Sequence, residues 1–177
     1  CGKETVQDHD FNIKVTCTTT TMKLKPISIT PGREDFMKLN ESEQSQVKSV
    51  AGSLAWIARN CSPELCYYVS FFQTLKAEGR GSVADLRLIN KIIDYAKQTS
   101  DSGIIFKTDI LNWNEPLVFV TVSDASFANE DATVTNPHTS ESHREKHRSQ
   151  GGILIFLANQ DILTGEVCKF HVLSFNS

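Results

Sequence analysis

No stretch of this 177-residue sequence approaches the roughly 18–20 consecutive apolar residues that cross a bilayer, so no membrane-spanning helix is expected. Cysteine is scarce and poorly spaced for metal. Cys1, Cys17, Cys61, Cys66 and Cys168 include no C-x-x-C pair and are odd in number, which argues against a zinc site or a secreted disulfide framework. Reduced, buried thiols are expected instead. Cys61 and Cys66 stand five apart, a spacing that fits helix-face packing. A basic excess is also missing. Lys and Arg total 18 against 21 Asp and Glu, for a net charge of -3. Residues 1–115 hold 14 of each sign, and residues 116–177 hold 4 basic and 7 acidic. A free-standing nucleic-acid binder usually carries a basic patch; here any such contact must come from a local helix face or from neighbours. The opening Cys1-Gly2-Lys3-Glu4-Thr5 has no initiator Met and no signal-peptide pattern, and the end at Asn176-Ser177 reads as equally abrupt. An internal piece of a cytoplasmic or nuclear protein, not a secreted one, is the expectation.

Apolar residues make up 40% and charged residues 22%, so one domain or two small ones with a real core are expected. Phe11 to Cys17 alternates apolar and polar after the polar turn Gln7-Asp8-His9-Asp10, which reads as a hairpin over 1–18. Thr18 to Met37, with Pro26, Pro31 and Gly32, shows no period and reads as a connector. From Asn40 the period becomes helical: Val47, Val50, Ala51, Leu54, Ile57 and Ala58 form one stripe, and Asn40 with Glu43 is a capping arrangement. Ser62-Pro63 opens a second helix with the stripe Leu65, Tyr68, Val69, Phe72 and Leu75, closed by Gly79 and Gly81. Ser82 with Asp85 opens a third. Val83, Leu86, Ile89, Ile93 and Ala96 share one face, and Leu88, Ile92 and Tyr95 widen it, so this helix is expected to be central. Ile104 to Lys107 reads as a short strand and Asp109 to Glu115 as a turn. Leu117 to Asp124 is a β-branched strand. Residues 126–148 show no pattern. Gly151 to Ala158 reads as a strand buried on both faces, and Lys169 to Phe175 as another.

Three blocks resemble the copia family of reverse transcriptases. Gln44-Ser45-Gln46-Val47-Lys48-Ser49-Val50-Ala51-Gly52-Ser53-Leu54-Ala55-Trp56-Ile57-Ala58, followed by Ser62-Pro63-Glu64-Leu65-Cys66-Tyr67, is similar to "Y-x-S-x-V-G-S-L-x-Y-L-A … R-P-D-I-x-Y". Val122-Ser123-Asp124-Ala125-Ser126-Phe127-Ala128 is similar to "S-D-A-D-W-A". Arg148-Ser149-Gln150-Gly151-Gly152 into Leu157 is similar to "R-S-T-S-G-Y-x-x-x-L". Ser174-Phe175-Asn176-Ser177 stands where the family has "S-W-S-S". The blocks span 44–177 in order, and the opening Cys1-Gly2-Lys3 resembles the family's "F-L-G" strand just after the polymerase active site. Phe127, Phe175 and Asn176 depart from the pattern, as does the length of 126–148.

The resemblance implies an α+β chain in three parts. Residues 1–38 would be the final hairpin and linker of a reverse-transcriptase palm. Residues 39–115 would be a three-helix thumb/connection bundle. Residues 116–177 would be the truncated start of an RNase H domain, an incomplete three-stranded antiparallel meander. It implies a Pol polyprotein of a transposable element that synthesises DNA on RNA and cleaves the hybrid, of which this chain is a fragment inactive alone. The polymerase's Asp pair is absent; the only adjacent acidic pairs are Glu34-Asp35 and Glu130-Asp131. Hybrid cleavage uses two Mg²⁺ ions held by several carboxylates. Asp124 matches the first of these, as catalytic and metal-ligand residue, and its partners would lie beyond Ser177, so no tight Mg²⁺ binding is expected of this piece. Lys48, Arg59, Arg87 and Lys91 are the candidate phosphate contacts for template-primer or RNA–DNA hybrid. The implied partners are that nucleic acid and the rest of the polyprotein, with no membrane. His138, His143 and His147 with Glu141 and Glu145 lack the H-E-x-x-H order of a zinc protease and read as a solvated loop. The aromatic run Tyr67, Tyr68, Phe71, Phe72 has helical spacing and reads as core. The alternative function is a non-catalytic RNase H-like scaffold or interaction protein derived from a retroelement.

Overall fold

A computed structural model describes residues 2–78, 81–126, 133–135, 142–144 and 150–176. The chain is α+β and divides into two compact units, Cys1–Asn112 and Trp113–Ser177. No helix among the described residues is long and apolar enough to cross a membrane.

The first unit begins with the expected hairpin, β1 (Glu4–Gln7) against β2 (Ile13–Thr16). Its turn is built by Asp8, whose carboxylate accepts from the Asn12 side chain at 2.8 Å and from the backbone N–H groups of Asp10 and Asn12 at 2.9 Å each. The Asn12 amide, foremost among these donors, holds the Asp8 carboxyl below the usual value. Phe11 takes a left-handed φ of 64° to close the turn. The short strand expected at Ile104 is β3 (Ile104–Phe106), which joins β2 antiparallel and makes a three-stranded sheet of order β1-β2-β3. Gly103 makes that pairing feasible. Its φ is +60°, and a Cβ there would run into the Val15 carbonyl oxygen and the Thr16 side chain.

The connector after β2 departs from expectation at its start, because Thr18–Met22 winds one short helix, α1. Thr21 is buried in it and donates its hydroxyl to the Cys17 carbonyl at 2.9 Å, so a residue that reads as polar linker is satisfied inside the core. Beyond it the chain is a strap. Leu24 and Ile27 are buried anchors, and Asn90 holds Ile27 through both its N–H and its carbonyl, at 2.7 and 3.0 Å.

Helix α2 (Glu41–Cys61) starts at the expected cap: Asn40 accepts from Glu43 N–H, and the Glu43 carboxylate accepts from Asn40 N–H, both at 2.9 Å. Val47, Ala51, Leu54, Ile57 and Ala58 are buried as their spacing requires; Val50 is half-buried. A 3-10 turn, Pro63–Leu65, then leads into α3 (Cys66–Glu78). Phe72 and Leu65 are fully buried, Val69 is buried, and Tyr68 and Leu75 are half-buried. The aromatic run is only partly core: Tyr67 is exposed and Phe71 half-buried. Gly79 lies outside the described residues. Helix α4 (Val83–Gln98) buries Val83, Leu86, Ile89, Ile92, Ile93 and Ala96. Its apolar arc is narrower than the sequence implies, since Leu88 is half-buried and Tyr95 exposed. Each fully buried aliphatic side chain contributes roughly 1.5–3 kcal/mol, so these three helix faces dominate the unit's stability.

The second unit is an antiparallel meander of order β4-β7-β8, with β4 at Leu117–Ser126, β7 at Gln150–Asn159 and β8 at Phe170–Asn176. The register slips by one residue between Ile155 and Phe156, leaving Leu173 extra on β8. Within 126–148, β5 (Thr133–Thr135) pairs β6 (Ser142–Arg144), where no element is expected from the pattern. One expectation fails outright. β7 is not buried on both faces: Phe156 and Ala158 are buried, but Ile153 is 48% exposed and Ile155 and Leu157 are only half-buried. An unbroken apolar strand implies two covering layers, and the described residues do not close over the Ile153 side.

Candidate functional site

Asp124 lies near the end of β4, directly opposite Gly152 on β7. Alternation puts it on one face with Val118, Val120 and Val122, beside Ala158, Phe156, Leu154 and Gly152. Along this face the burial is uneven. Phe156 and Ala158 form the covered end, with Phe170 stacked 4.5 Å from Phe156. The Asp124 end is open, with Val122 51% exposed and Asp124 itself exposed. Among the described residues, a side chain at Gly152 would meet only the Asn176 carbonyl oxygen, at 3.9 Å, so little crowds the carboxylate there.

A carboxylate in this setting offers two oxygens to a hard cation and no more. A two-Mg²⁺ centre requires several acidic ligands converging from separate elements. Among the described residues no group of three or more His, Cys, Asp and Glu is placed to hold a metal ion. The side chains of His138, Glu141, His143, Glu145 and His147 lie outside the described residues, as do Phe127, Arg148, Ser149 and the Glu130-Asp131 pair.

The four candidate phosphate contacts are all exposed and fall on two helices. Lys48 and Arg59 are eleven residues apart on α2, about three turns, so they lie along one line some 16 Å apart. Arg87 and Lys91 are one turn apart on α4. Arg87 is already engaged: its Nε donates to Asp35 Oδ1 at 2.7 Å, an exposed pair worth roughly 0–1 kcal/mol. That bond ties α4 to the strap, alongside Val83 N–H to the Met37 carbonyl and Ala84 N–H to the Asp35 carbonyl, each at 3.0 Å. The role of Arg87 is thus partly structural.

Two further features were not apparent in the sequence. Glu43 looks like an exposed cap residue but is 1% exposed, with Arg33 Nη2 at 3.4 Å from its Oε2. Arg33 also donates to the Lys38 carbonyl, so it cross-links strap and helix. Lys23 and Lys25, both exposed, flank the buried Leu24, and all three line a cleft against α2. The alternation Lys23-Leu24-Lys25 was the available signal, masked by a connector with no longer period.

Among the cysteines, Cys17, Cys61 and Cys66 are buried free thiols and Cys168 is half-buried. Burial, reinforced by the neighbouring Cys61, pushes the Cys17 thiol up to about 12; burial also raises Cys61. Both are poor nucleophiles near neutral pH. Compared with models of known protein families, with curated proteins and with solved structures, the chain finds no match.

Proposed function

We propose that this chain is a segment of a copia-type retroelement polyprotein, contributing the helices that handle template and primer and the opening strands of a ribonuclease H lobe. The observation that carries the reading is the placement of the "S-D-A" block. Val122-Ser123-Asp124-Ala125 sits at the end of the first strand of an antiparallel meander, and the glycine-rich block Gln150-Gly151-Gly152 pairs directly with it. Two sequence blocks some 25 residues apart thus meet at one end of one sheet. The ordered helices from Asn40 to Gln98 support a nucleic-acid-handling region, with Lys48, Arg59 and Lys91 exposed on them. Hybrid cleavage by the intact protein would use Asp124 as one metal ligand; the remaining ligands would come from segments outside this chain.

The test is direct. The 177-residue chain is mixed with a labelled RNA–DNA hybrid and Mg²⁺. Salt-dependent binding without cleavage is expected. Cleavage abolished by Asp124→Asn would overturn the fragment reading, and no binding even at low salt would remove the template-primer role.

A further inference from the structure

Between the strap and α2 runs a cleft of about 450 Å³. One wall is the segment Thr20 to Ile27, the other the face of α2 carrying Gln46, Ser49, Val50 and Ser53. The walls are fixed. Leu24 and Ile27 anchor the strap in the core, Gln46 Oε1 accepts from Ser28 N–H at 3.0 Å, and Asn90 clamps Ile27. Lys23 and Lys25 stand on either side of Leu24 in the strap, are exposed, and line the cleft with it. The lining contains these two cations, several hydroxyls and an amide, and no carboxylate. Such a surface matches an extended anion that also carries carbon, the ammonium groups meeting its charge and Leu24, Pro26, Ile27 and Val50 its apolar parts. Successive helix residues turn by about 100°, which puts Lys48 and Arg59 on the far side of α2 from this cleft.

We infer that this cleft, with Lys23 and Lys25, seats the phosphodiester backbone of a nucleic-acid strand. The inference rests on the proposed template-primer role and names where on the first unit the strand lies. Lysine ammonium groups act as point charges on phosphate oxygens, contributing affinity without sequence preference.

The experiment is a salt titration of a fluorescent RNA–DNA hybrid by fluorescence anisotropy, on the full chain, Lys23→Gln/Lys25→Gln and Lys48→Gln/Arg59→Gln. All four side chains are exposed, and far-UV circular dichroism checks that each variant keeps its helices. In the first variant the slope of log K against log salt is expected to fall by about 2, and affinity near 0.1 M salt to drop roughly 10- to 100-fold. The second variant is expected to change less. If the hybrid binds Lys23→Gln/Lys25→Gln as tightly as the parent chain, the cleft assignment is overturned while the proposed function stands. Inorganic phosphate that displaces the hybrid at millimolar concentration marks a free-anion site and overturns the strand assignment. If the parent chain binds no hybrid, the template-primer reading fails and takes this inference with it.

Discussion

Replacing Glu43 tests whether the strap is held to α2 by charge or by shape. The carboxylate is 1% exposed and serves two partners through Oε2: the Asn40 N–H at 2.9 Å and the Arg33 guanidinium at 3.4 Å. Glu43→Ala removes half of the capping box, a loss of about 1 kcal/mol. It also leaves Arg33 facing a hollow. Breaking a fully buried pair costs about 3–5 kcal/mol. Arg33 retains 22% exposure and the contact is long, so about 1–2 kcal/mol is the appropriate share here. Glu43 Oε1 has no hydrogen-bond partner among the described residues, so its removal offsets part of the cost. With that offset the sum is about 2 kcal/mol. Glu43→Gln keeps an acceptor for Asn40 and loses only the charge, for about 1 kcal/mol.

Urea unfolding followed by far-UV circular dichroism reads this well, because every α-helix of the described residues belongs to the first unit. With a slope of about 1–3 kcal/mol per molar urea, Glu43→Ala lowers the midpoint by roughly 1–2 M and Glu43→Gln by about half as much. Asn40→Ala lowers it by an amount equivalent to about 1 kcal/mol, and the double variant Asn40→Ala/Glu43→Ala falls short of the sum, since the two residues share one box. A Glu43→Gln midpoint equal to the parent chain's would refute the ionic contribution, and equal midpoints for the two variants would refute the capping acceptor. No shift in either would refute the buried cap altogether.

Three other outcomes are expected. Gly103→Ala forces a left-handed φ on a side chain that would collide with the Val15 carbonyl, so it lowers the first unit's urea midpoint by more than the roughly 1 kcal/mol of an ordinary strained alanine; an unchanged midpoint would contradict the β2–β3 register. The Cys17 thiol is raised from 9.0 to about 12, so the stability gained by keeping it neutral is complete below pH 9 and is lost as pH rises toward 12; thermal scans of the parent chain should show that fall and Cys17→Ala should flatten it. Phe119 is 75% exposed on an edge strand, so Phe119→Lys should reduce aggregation, read by light scattering, without lowering the melting temperature by more than a degree or two, roughly 0.5 kcal/mol.

Helical periodicity was the most readable feature of the sequence. Val47, Ala51, Leu54 and Ile57, and likewise Leu86, Ile89 and Ile93, are buried because only one face of a surface helix can be, and that constraint is written at three- and four-residue spacing. Caps were legible for the same local reason: Asn40 with Glu43 and Ser82 with Asp85 satisfy donors within their own first turns. What could not be read was anything set by distant partners. α1 is too short to show a period, and Thr21 is buried through a bond to Cys17 that no pattern announces. Glu43 carries the signature of an exposed cap, yet it is buried beside Arg33, ten residues earlier. β3 was visible as a strand, but its partner β2, some 90 residues earlier, was not. Ile153 failed for the opposite reason, since its neighbours' apolarity describes a covered sheet and coverage is a property of what packs there, not of the strand.

Asp124 lies on the other face from Ile153, and coverage is uneven there too. Its face of the meander is covered where Phe156 and Ala158 sit and open where Val122, Leu154 and Gly152 surround the carboxylate. Among the described residues Val122 stays in water and Asp124 belongs to no group able to hold a metal ion, which leaves two needs at one place under the proposed metal role. One packed element bearing an acidic side chain would meet both, burying Val122 while bringing a second carboxylate beside Gly152. Burial and chemistry at this end of the sheet are therefore coupled in the proposed intact protein. A helix that stabilised the sheet without supplying the acid would leave Asp124 a desolvated, unpaired charge, at greater cost than leaving it in water.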